Sequence, residues 1–263
     1  MLSYQHAFHA GNLADVQKHA LLAWTLDYMV QKEKPVSYIE THAGRGLYRL
    51  SGPEALKTGE AAQGIGRLTD AFPDAFPADH PYPGRLEETR AMFGADAYPG
   101  SPLIAALGLR ETDRLHLAEL HPQENTALVG VLGSWGAHIR KEDGFDFALS
   151  LTPPVPRRGL MLVDPPYEVK SDYDHIPKFF TQVARKWNVG VLMLWYPILR
   201  DAPHVPMLRA LEANFPEALR HELRFPPARE GHRMIGTGIF IVNPPFGIKA
   251  ECARLDRIFA ALG

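Results

Sequence analysis

The tetrapeptide Asp164-Pro165-Pro166-Tyr167 ends an apolar run, GLMLV (159–163), and puts a carboxylate, two rigid residues and an aromatic ring at consecutive positions. That set suits an amino nitrogen on a heteroaromatic ring, a poor nucleophile because its lone pair is delocalised. A carboxylate and a backbone carbonyl that both accept its protons draw it toward tetrahedral geometry and stabilise the positive charge that develops on attack. The two prolines fix the chain's φ angles and supply no competing N–H. The ring offers a platform for a base taken out of its stack. Asn243-Pro244-Pro245-Phe246 is a looser copy of the pattern, after TGIFIV. It is expected to be structural, because a closing antiparallel strand would carry its end away from the site.

Asp164 is not alone. The run VSYIE leads into Glu40-Thr41-His42-Ala43-Gly44-Arg45-Gly46, LHLA is followed by Glu119, and HIRKE by Asp143-Gly144. Four apolar runs thus each deliver an acid at their carboxyl end, where open parallel sheets bind ligands. A dinucleotide fingerprint requires G-x-G-x-x-G, but Arg49 stands where the third glycine belongs. An acid such as Glu40 in the first turn would also repel a pyrophosphate. A cationic nucleoside cofactor, S-adenosylmethionine, fits better, with an acid after the second strand for its ribose and one after the third for its adenine. The Asp-Pro-Pro-Tyr pattern fits the signature of methyltransferases that modify exocyclic amino groups.

The elements that must position these residues alternate. Residues 12–31 have the apolar spacing of an amphipathic helix, with Asn12 as its cap. After VSYIE (36–40), strand and helix patterns alternate through GVLMLWYPI (190–198), with helices expected near 174–187 and 201–214. HELRF (221–225) and TGIFIV then suggest a closing hairpin that adds an antiparallel strand. Residues 51–97 interrupt this order with Pro53, Pro73, Pro77, Pro81 and Pro83, helix-like pieces near 57–71 and 84–93, and no strand signal. The expected fold class is α/β, a Rossmann-like, mostly parallel sheet. Residues 1–50 and 98–263 form one domain and 51–97 an inserted helical subdomain too small for a core of its own.

Composition narrows the class further. With 263 residues, 46% hydrophobic and 22% charged, the chain is an ordinary globular one, not disordered or coiled-coil. Its single cysteine, Cys252, excludes an intramolecular disulfide and a cysteine-based zinc site. The spacing of its 12 histidines supports no metal site. No apolar run nears the roughly 20 residues of a membrane span, and no signal peptide is read, so a cytoplasmic protein is expected. The net charge of −2 conceals an asymmetry: residues 1–152 carry −6 and residues 153–263 carry +4. Arg220, Arg224, Arg229 and Arg233 cluster in the basic half, either as a solvated face or as a strip that contacts phosphate.

Several segments together resemble one family. MLSYQHAFHAGNLADVQKHA at the start, YIETHAGRGLY (38–48), YPGSPLIA (98–105), LHLAELHP (115–122), KEDGF (141–145) and RRGLMLVDPPYE (157–168) are similar to the RlmJ family, bacterial 23S ribosomal RNA adenine-N6 methyltransferases. The resemblance spans residues 1–246 and is weakest in 51–97. It implies a class I S-adenosylmethionine-dependent methyltransferase that acts on one adenine of ribosomal RNA. That RNA would be protein-free or in early assembly, and the enzyme a monomer with no obligatory protein partner and no membrane.

The resemblance also implies roles. Lys18 and His19 lie on a helix that closes over the cofactor, His42 and Ser101 contact its methionine end, Gly44 belongs to its binding site, and Glu119 contacts its ribose, Asp143 and Gly144 its adenine, with Asp164 at the same site. Asp164 accepts the amino proton beside the Pro165 carbonyl, Tyr167 stacks the target adenine, and Tyr4 and His6 touch the RNA. The rival readings are a DNA adenine-N6 methyltransferase, for which some 50 inserted residues leave little room for a recognition domain, a nucleotide-binding module without catalysis, and a dinucleotide dehydrogenase.

Overall fold

The computed structural model describes residues 5–168, 171–227, 231 and 233–262. After a short 3₁₀ turn (His6–Phe8) comes helix α1 (Leu13–Val30), which begins where expected because the Asn12 side chain accepts the Asp15 N–H at 2.9 Å. Strand β1 (Ser37–Glu40) is followed by β2 (Leu47–Arg49), α2 (Pro53–Thr58), a π turn (Ala62–Gly66), α3 (Arg67–Ala71), α4 (Pro81–Phe93) and β3 (Ala97–Pro99). Then come α5 (Ser101–Gly108), β4 (Arg114–Ala118), α6 (Pro122–Leu132), β5 (His138–Arg140), α7 (Gly144–Leu151) and β6 (Gly159–Val163). The chain continues through α8 (Asp172–Lys186), β7 (Val191–Leu199), α9 (His204–Asn214), β8 (Leu219–Arg224), β9 (Met234–Val242) and α10 (Ile248–Leu262).

Seven strands make one sheet in the order β5-β4-β1-β6-β7-β9-β8. Pairing is parallel from β5 through to β7, while β9 slots between β7 and β8 antiparallel to both. This is the Rossmann-like, mostly parallel architecture expected from the alternating pattern, with the closing hairpin in place. Because β9 runs backwards, Asn243 lies at the opposite edge from Asp164. Its side-chain amide donates to the carbonyls of Asn188 and Gly190 at 3.0 and 2.8 Å, so NPPF is structural.

Successive strand residues point to opposite faces, and the chain buries both. In β6, Leu160 and Leu162 join a core with α1, α5, α6 and α10, while Met161 and Val163 join one with α7, α8 and α9. Helix α1 is not amphipathic in practice. Asp15, Gln17, Lys18, His19 and Thr25 are buried along with its apolar residues, since the sheet, the 51–97 segment and α10 all pack around it.

Three features depart from the sequence pattern. Residues 51–97 are helical as expected, but β2 and β3 clamp the base of the segment as a two-stranded antiparallel ribbon, and Ile65, Leu68, Tyr82 and Leu86 belong to the same core as α1. Helix α10, where no helix was assigned, packs on α1. Of the described arginines between 220 and 233, Arg220 stands apart from the expected strip. Arg220 is held by Glu212 and Glu222, four residues before the end of β8, and Arg229 lies outside the described residues. No helix among the described residues is long and apolar enough to cross a membrane.

Candidate active site

The carboxyl ends of β1, β4, β5 and β6 face one cavity of about 390 Å³, closed on its far side by α1. Cavities of this size hold nucleoside-sized ligands. Every site residue expected from the sequence lines it except Tyr4, which lies outside the described residues: His6, Lys18, His19, His42, Gly44, Ser101, Glu119, Asp143, Gly144, Asp164, Pro165 and Tyr167.

The first turn is strapped onto β4. The Ala43 N–H donates to the Ala118 carbonyl at 3.0 Å, and the Gly44 N–H to Glu119 Oε2 at 2.7 Å. Gly44 has φ +62°, and a Cβ there would meet the Tyr48 hydroxyl at 2.6 Å, so only glycine serves. Glu119 Oε1 accepts the His121 N–H at 2.7 Å. The two N–H groups fix the carboxylate's plane and leave its remaining lone pairs toward the cavity, as a diol contact requires. Arg45 grips Glu124 through two hydrogen bonds, at 2.9 and 2.7 Å, and anchors α6 behind the turn.

Asp143 caps α7: one carboxylate oxygen, Oδ1, accepts the N–H groups of Phe145 and Asp146 at 2.9 and 3.1 Å. The other oxygen remains available to a ligand's amino group. Gly144 lets this helix start lie against the β1 turn, because a Cβ would sit 1.8 Å from the Thr41 carbonyl oxygen. His42 packs edge-on to Phe145 with ring centroids 5.2 Å apart, and burial pushes its pKa down to about 4, so the imidazole is neutral.

Glu40 is the correction. It does not line the cavity with the other strand-end acids. It is fully buried, accepting the Ser101 hydroxyl on Oε1 and the Tyr38 hydroxyl on Oε2, and burial raises its pKa to about 8. β1 carries its terminal side chain inward beneath α5, and the neutral acid ties that helix to the strand. Ser101 therefore faces the cavity with its hydroxyl proton already committed.

Asp164 sits mid-cavity at the end of β6. Its Oδ2 receives Lys18 Nζ at 2.6 Å, and Lys18 also reaches Asp15 Oδ1 at 3.2 Å. Both carboxylates outweigh the burial of Lys18 and raise its pKa, so it is a cation. Asp15, fully buried, further accepts His6 Nε2 and the Gly11 N–H, each at 2.9 Å. Its charged partners hold its carboxyl well below the usual range. His19 instead binds the Tyr98 hydroxyl through Nδ1, and burial lowers its pKa to about 3.

Tyr167 adopts φ +55°, a strained conformation for a bulky residue. Its hydroxyl donates to the Trp195 carbonyl at 2.7 Å and its ring packs on Tyr173 at 4.8 Å. Sequence reasoning missed Asp15 and Trp195. The i, i+3 spacing of Asp15 and Lys18 on one helix was a legible sign; Trp195, inside a continuous apolar strand, gave none.

The donor set has a definite chemistry. Acids dominate among the described lining residues and an ion pair crosses the floor, which suits a cationic, phosphate-free nucleoside. A sequence profile described as "Ribosomal RNA large subunit methyltransferase D, RlmJ" matches residues 33–261. Ribosomal RNA large subunit methyltransferase J of Escherichia coli (strain K12) is 38% identical over 254 residues, covering 95% of this chain and 90% of that protein.

The chain belongs to the RlmJ family.

The Haemophilus influenzae member is also 38% identical, over 97% of this chain and 92% of its own length. A crystal structure from Legionella pneumophila superposes with a TM-score of 0.85 at 32% identity, covering 97% of this chain and 92% of that one. In this RlmJ family protein α1 lies before the profile-matched region, yet it supplies Lys18 and closes the cavity.

Proposed function

We propose that this protein transfers a methyl group from S-adenosylmethionine to the N6 amino group of an adenine in 23S ribosomal RNA. The observation that carries this reading is the seat of Asp164-Pro165-Pro166-Tyr167. It lies at the end of β6, between the acids on the β1–β4–β5 side of the cavity and the aromatic wall at Trp195. The cofactor supplies an electrophilic methyl group on a sulfonium. The residues of this chain hold, orient and neutralise.

Glu119 accepts the ribose hydroxyls and the free oxygen of Asp143 the adenine amino group. His42, Gly44 and Ser101 border the methionine end, with Lys18 and His19 closing α1 over it. The free Asp164 oxygen and the Pro165 carbonyl accept the two protons of the target amino group. That aligns its lone pair and stabilises the positive charge that grows on nitrogen. Tyr167 stacks the extruded adenine, while His6 on the cavity wall, and Tyr4 outside the described residues, meet the RNA. Residues 1–50 and 98–263 act as the methyltransferase domain, with 51–97 as an insertion that braces α1. The enzyme works as a monomer in the cytoplasm on RNA not yet covered by ribosomal proteins.

Labelled S-adenosylmethionine with protein-free 23S ribosomal RNA or duplex DNA tests this reading. Label should enter the RNA alone, at one N6-methyladenine that mass spectrometry finds missing in a strain without the protein. Label in DNA only, or no missing modification, would defeat it.

A further inference from the structure

The sheet order gives the cavity an axis. Gly44, Glu119 and Asp143 stand at the ends of β1, β4 and β5, and Asp164 ends β6. Beyond Asp164 the wall is built by Trp195, Pro197 and Leu199 of β7 and by Met234, the first residue of β9. Strands are about 4.8 Å apart, so this second wall lies roughly 5–10 Å past the catalytic carboxylate. With the cofactor's nucleoside on the acidic half, the target base enters from the β7–β9 half. The strand that carries it must cross the neighbouring strand ends.

Three of those ends carry arginine. Arg200 directly follows Leu199, and Arg233 directly precedes Met234. The Arg200 N–H donates to the Arg233 carbonyl at 3.2 Å, which fixes the two side by side. Arg224 ends β8, which runs in the same direction as β7, and its register partner is Gly236, two residues from Met234. All three are exposed. Arg233 acts electrostatically on Tyr173, which packs on Tyr167.

Among the described residues, the acids nearby do not cancel this charge. Asp201 pairs with Arg233 at 2.7 Å, but with side chains 66% and 58% exposed the pair is solvent-screened and open to a competing anion. Asp172 lies on the cavity wall, and Glu222 is held by Tyr196 and Arg220. Arg200 and Arg224 form no side-chain ion pair with any described residue. Arg220 is the opposite case, its guanidinium spent on Glu212 and Glu222.

We propose that Arg200, Arg224 and Arg233 form a phosphate-binding rim that holds the RNA backbone next to the target adenine. The rim rests on the ribosomal RNA reading above. It selects no sequence. It fixes the register of the strand so that one base reaches Tyr167, in the way phosphate contacts position nucleic acid while base contacts specify it. Arg224 and Arg233 flank the connection of the β8–β9 hairpin, and Arg200 of the distant β7 joins them because β9 also pairs with β7.

The test is binding of protein-free 23S ribosomal RNA transcript by wild type, by the R200Q/R224Q/R233Q triple variant and by R220Q, over a range of potassium chloride. Methylation kinetics and calorimetric binding of S-adenosylmethionine accompany it. Each lost phosphate contact lowers the log–log salt slope by about 0.7 on a single strand. The triple variant should thus lose roughly 2 from the slope and bind RNA at least tenfold more weakly at low salt. Its RNA KM should rise while kcat at saturating RNA and the cofactor Kd stay within about twofold of wild type, and R220Q should behave as wild type. A triple variant with wild-type slope and affinity overturns the rim, as does an R220Q defect equal to that of the triple. Failure of wild type itself to methylate the RNA removes the functional reading and the rim with it.

Discussion

Lys18 Nζ lies 2.6 Å from Asp164 Oδ2, so the carboxylate proposed to face the target amino group is already paired with a buried cation. A cation there opposes the positive charge that methyl transfer builds on nitrogen. Asp15 resolves the conflict: its carboxylate touches the same ammonium at 3.2 Å, so Asp15, Lys18 and Asp164 by themselves sum to −1, with His6 as a further partner of Asp15 on the side away from Lys18's contact oxygen. Lys18 aims Asp164, and Asp15 restores the negative field that Lys18 would otherwise cancel.

Replacing the acceptor should separate binding from chemistry. Asp164→Asn is expected to lower single-turnover methylation by roughly 10²–10³, as for loss of one preorganised electrostatic contact, with cofactor Kd within a few-fold. Equal rates would remove Asp164 from the mechanism.

The balance around Lys18 predicts non-additivity. Asp15→Asn leaves a net-neutral pair beside the reacting nitrogen and should lower kcat more than it raises either KM. In the double variant with Lys18→Met the further loss from Asp15→Asn should nearly vanish, because both changes act through one ammonium. Two independent, additive losses in kcat would contradict the charge-balance account. Melting curves on each variant control for the cost of disturbing a buried pair, typically about 3–5 kcal/mol.

Two glycines give opposite expectations for stability. Gly144→Ala places a methyl 1.8 Å from the Thr41 carbonyl and should cost about 3 kcal/mol. It should also disturb cofactor binding, because Asp143 moves with the helix start. Gly130→Ala, inside α6 with nothing within 4 Å of the new Cβ, should instead stabilise by about 0.5–1 kcal/mol. Urea titrations of both report the signs directly.

The buried titrating groups set a pH optimum for stability. Burial holds His19 and His42 down to about 3 and about 4 from an ordinary 6.5, so their contribution is lost as pH falls below 6.5. Glu40 is raised to about 8 from 4.5, so the folded state keeps a proton that the unfolded chain releases, and stability falls as pH rises from 4.5 to 8. Between 4.5 and 6.5 these two histidines, joined by the partly buried His116 at about 4, outweigh the Glu40 carboxyl, and above 6.5 the carboxyl prevails. The unfolding free energy should therefore peak near pH 6.5, with an alkaline slope near 1.4 kcal/mol per pH unit for one proton. Glu40→Gln should flatten that slope and steepen the acid limb between 4.5 and 6.5, where the carboxyl no longer opposes the histidines, as urea unfolding from pH 5 to 8.5 would show.

The sequence by itself determined the alternation of strands and helices, and with it the parallel sheet and the edge where ligands bind. It also determined that Glu119, Asp143 and Asp164 would meet there, because a residue just past a parallel strand has few other places to go. The Asn12 cap and the structural role of NPPF were legible for the same reason: each follows from local geometry and strand direction. Glu40 was misplaced because nothing local says whether a strand's last side chain turns toward the ligand or inward beneath α5, where Ser101 and Tyr38 receive it. The β2–β3 ribbon was lost for want of length, since three-residue strands carry no periodicity. Asp15 as the partner of Lys18, Trp195 as a wall, and the convergence of Arg200, Arg224 and Arg233 were decided only by the tertiary structure. Burial turned the Asp15–Lys18 spacing into a charged cluster aimed at Asp164, and the pairing of β9 with β7 set Arg200 beside the β8–β9 hairpin that carries Arg224 and Arg233. Pattern reports what each segment can do, whereas charge balance and convergence depend on what packing sets against it.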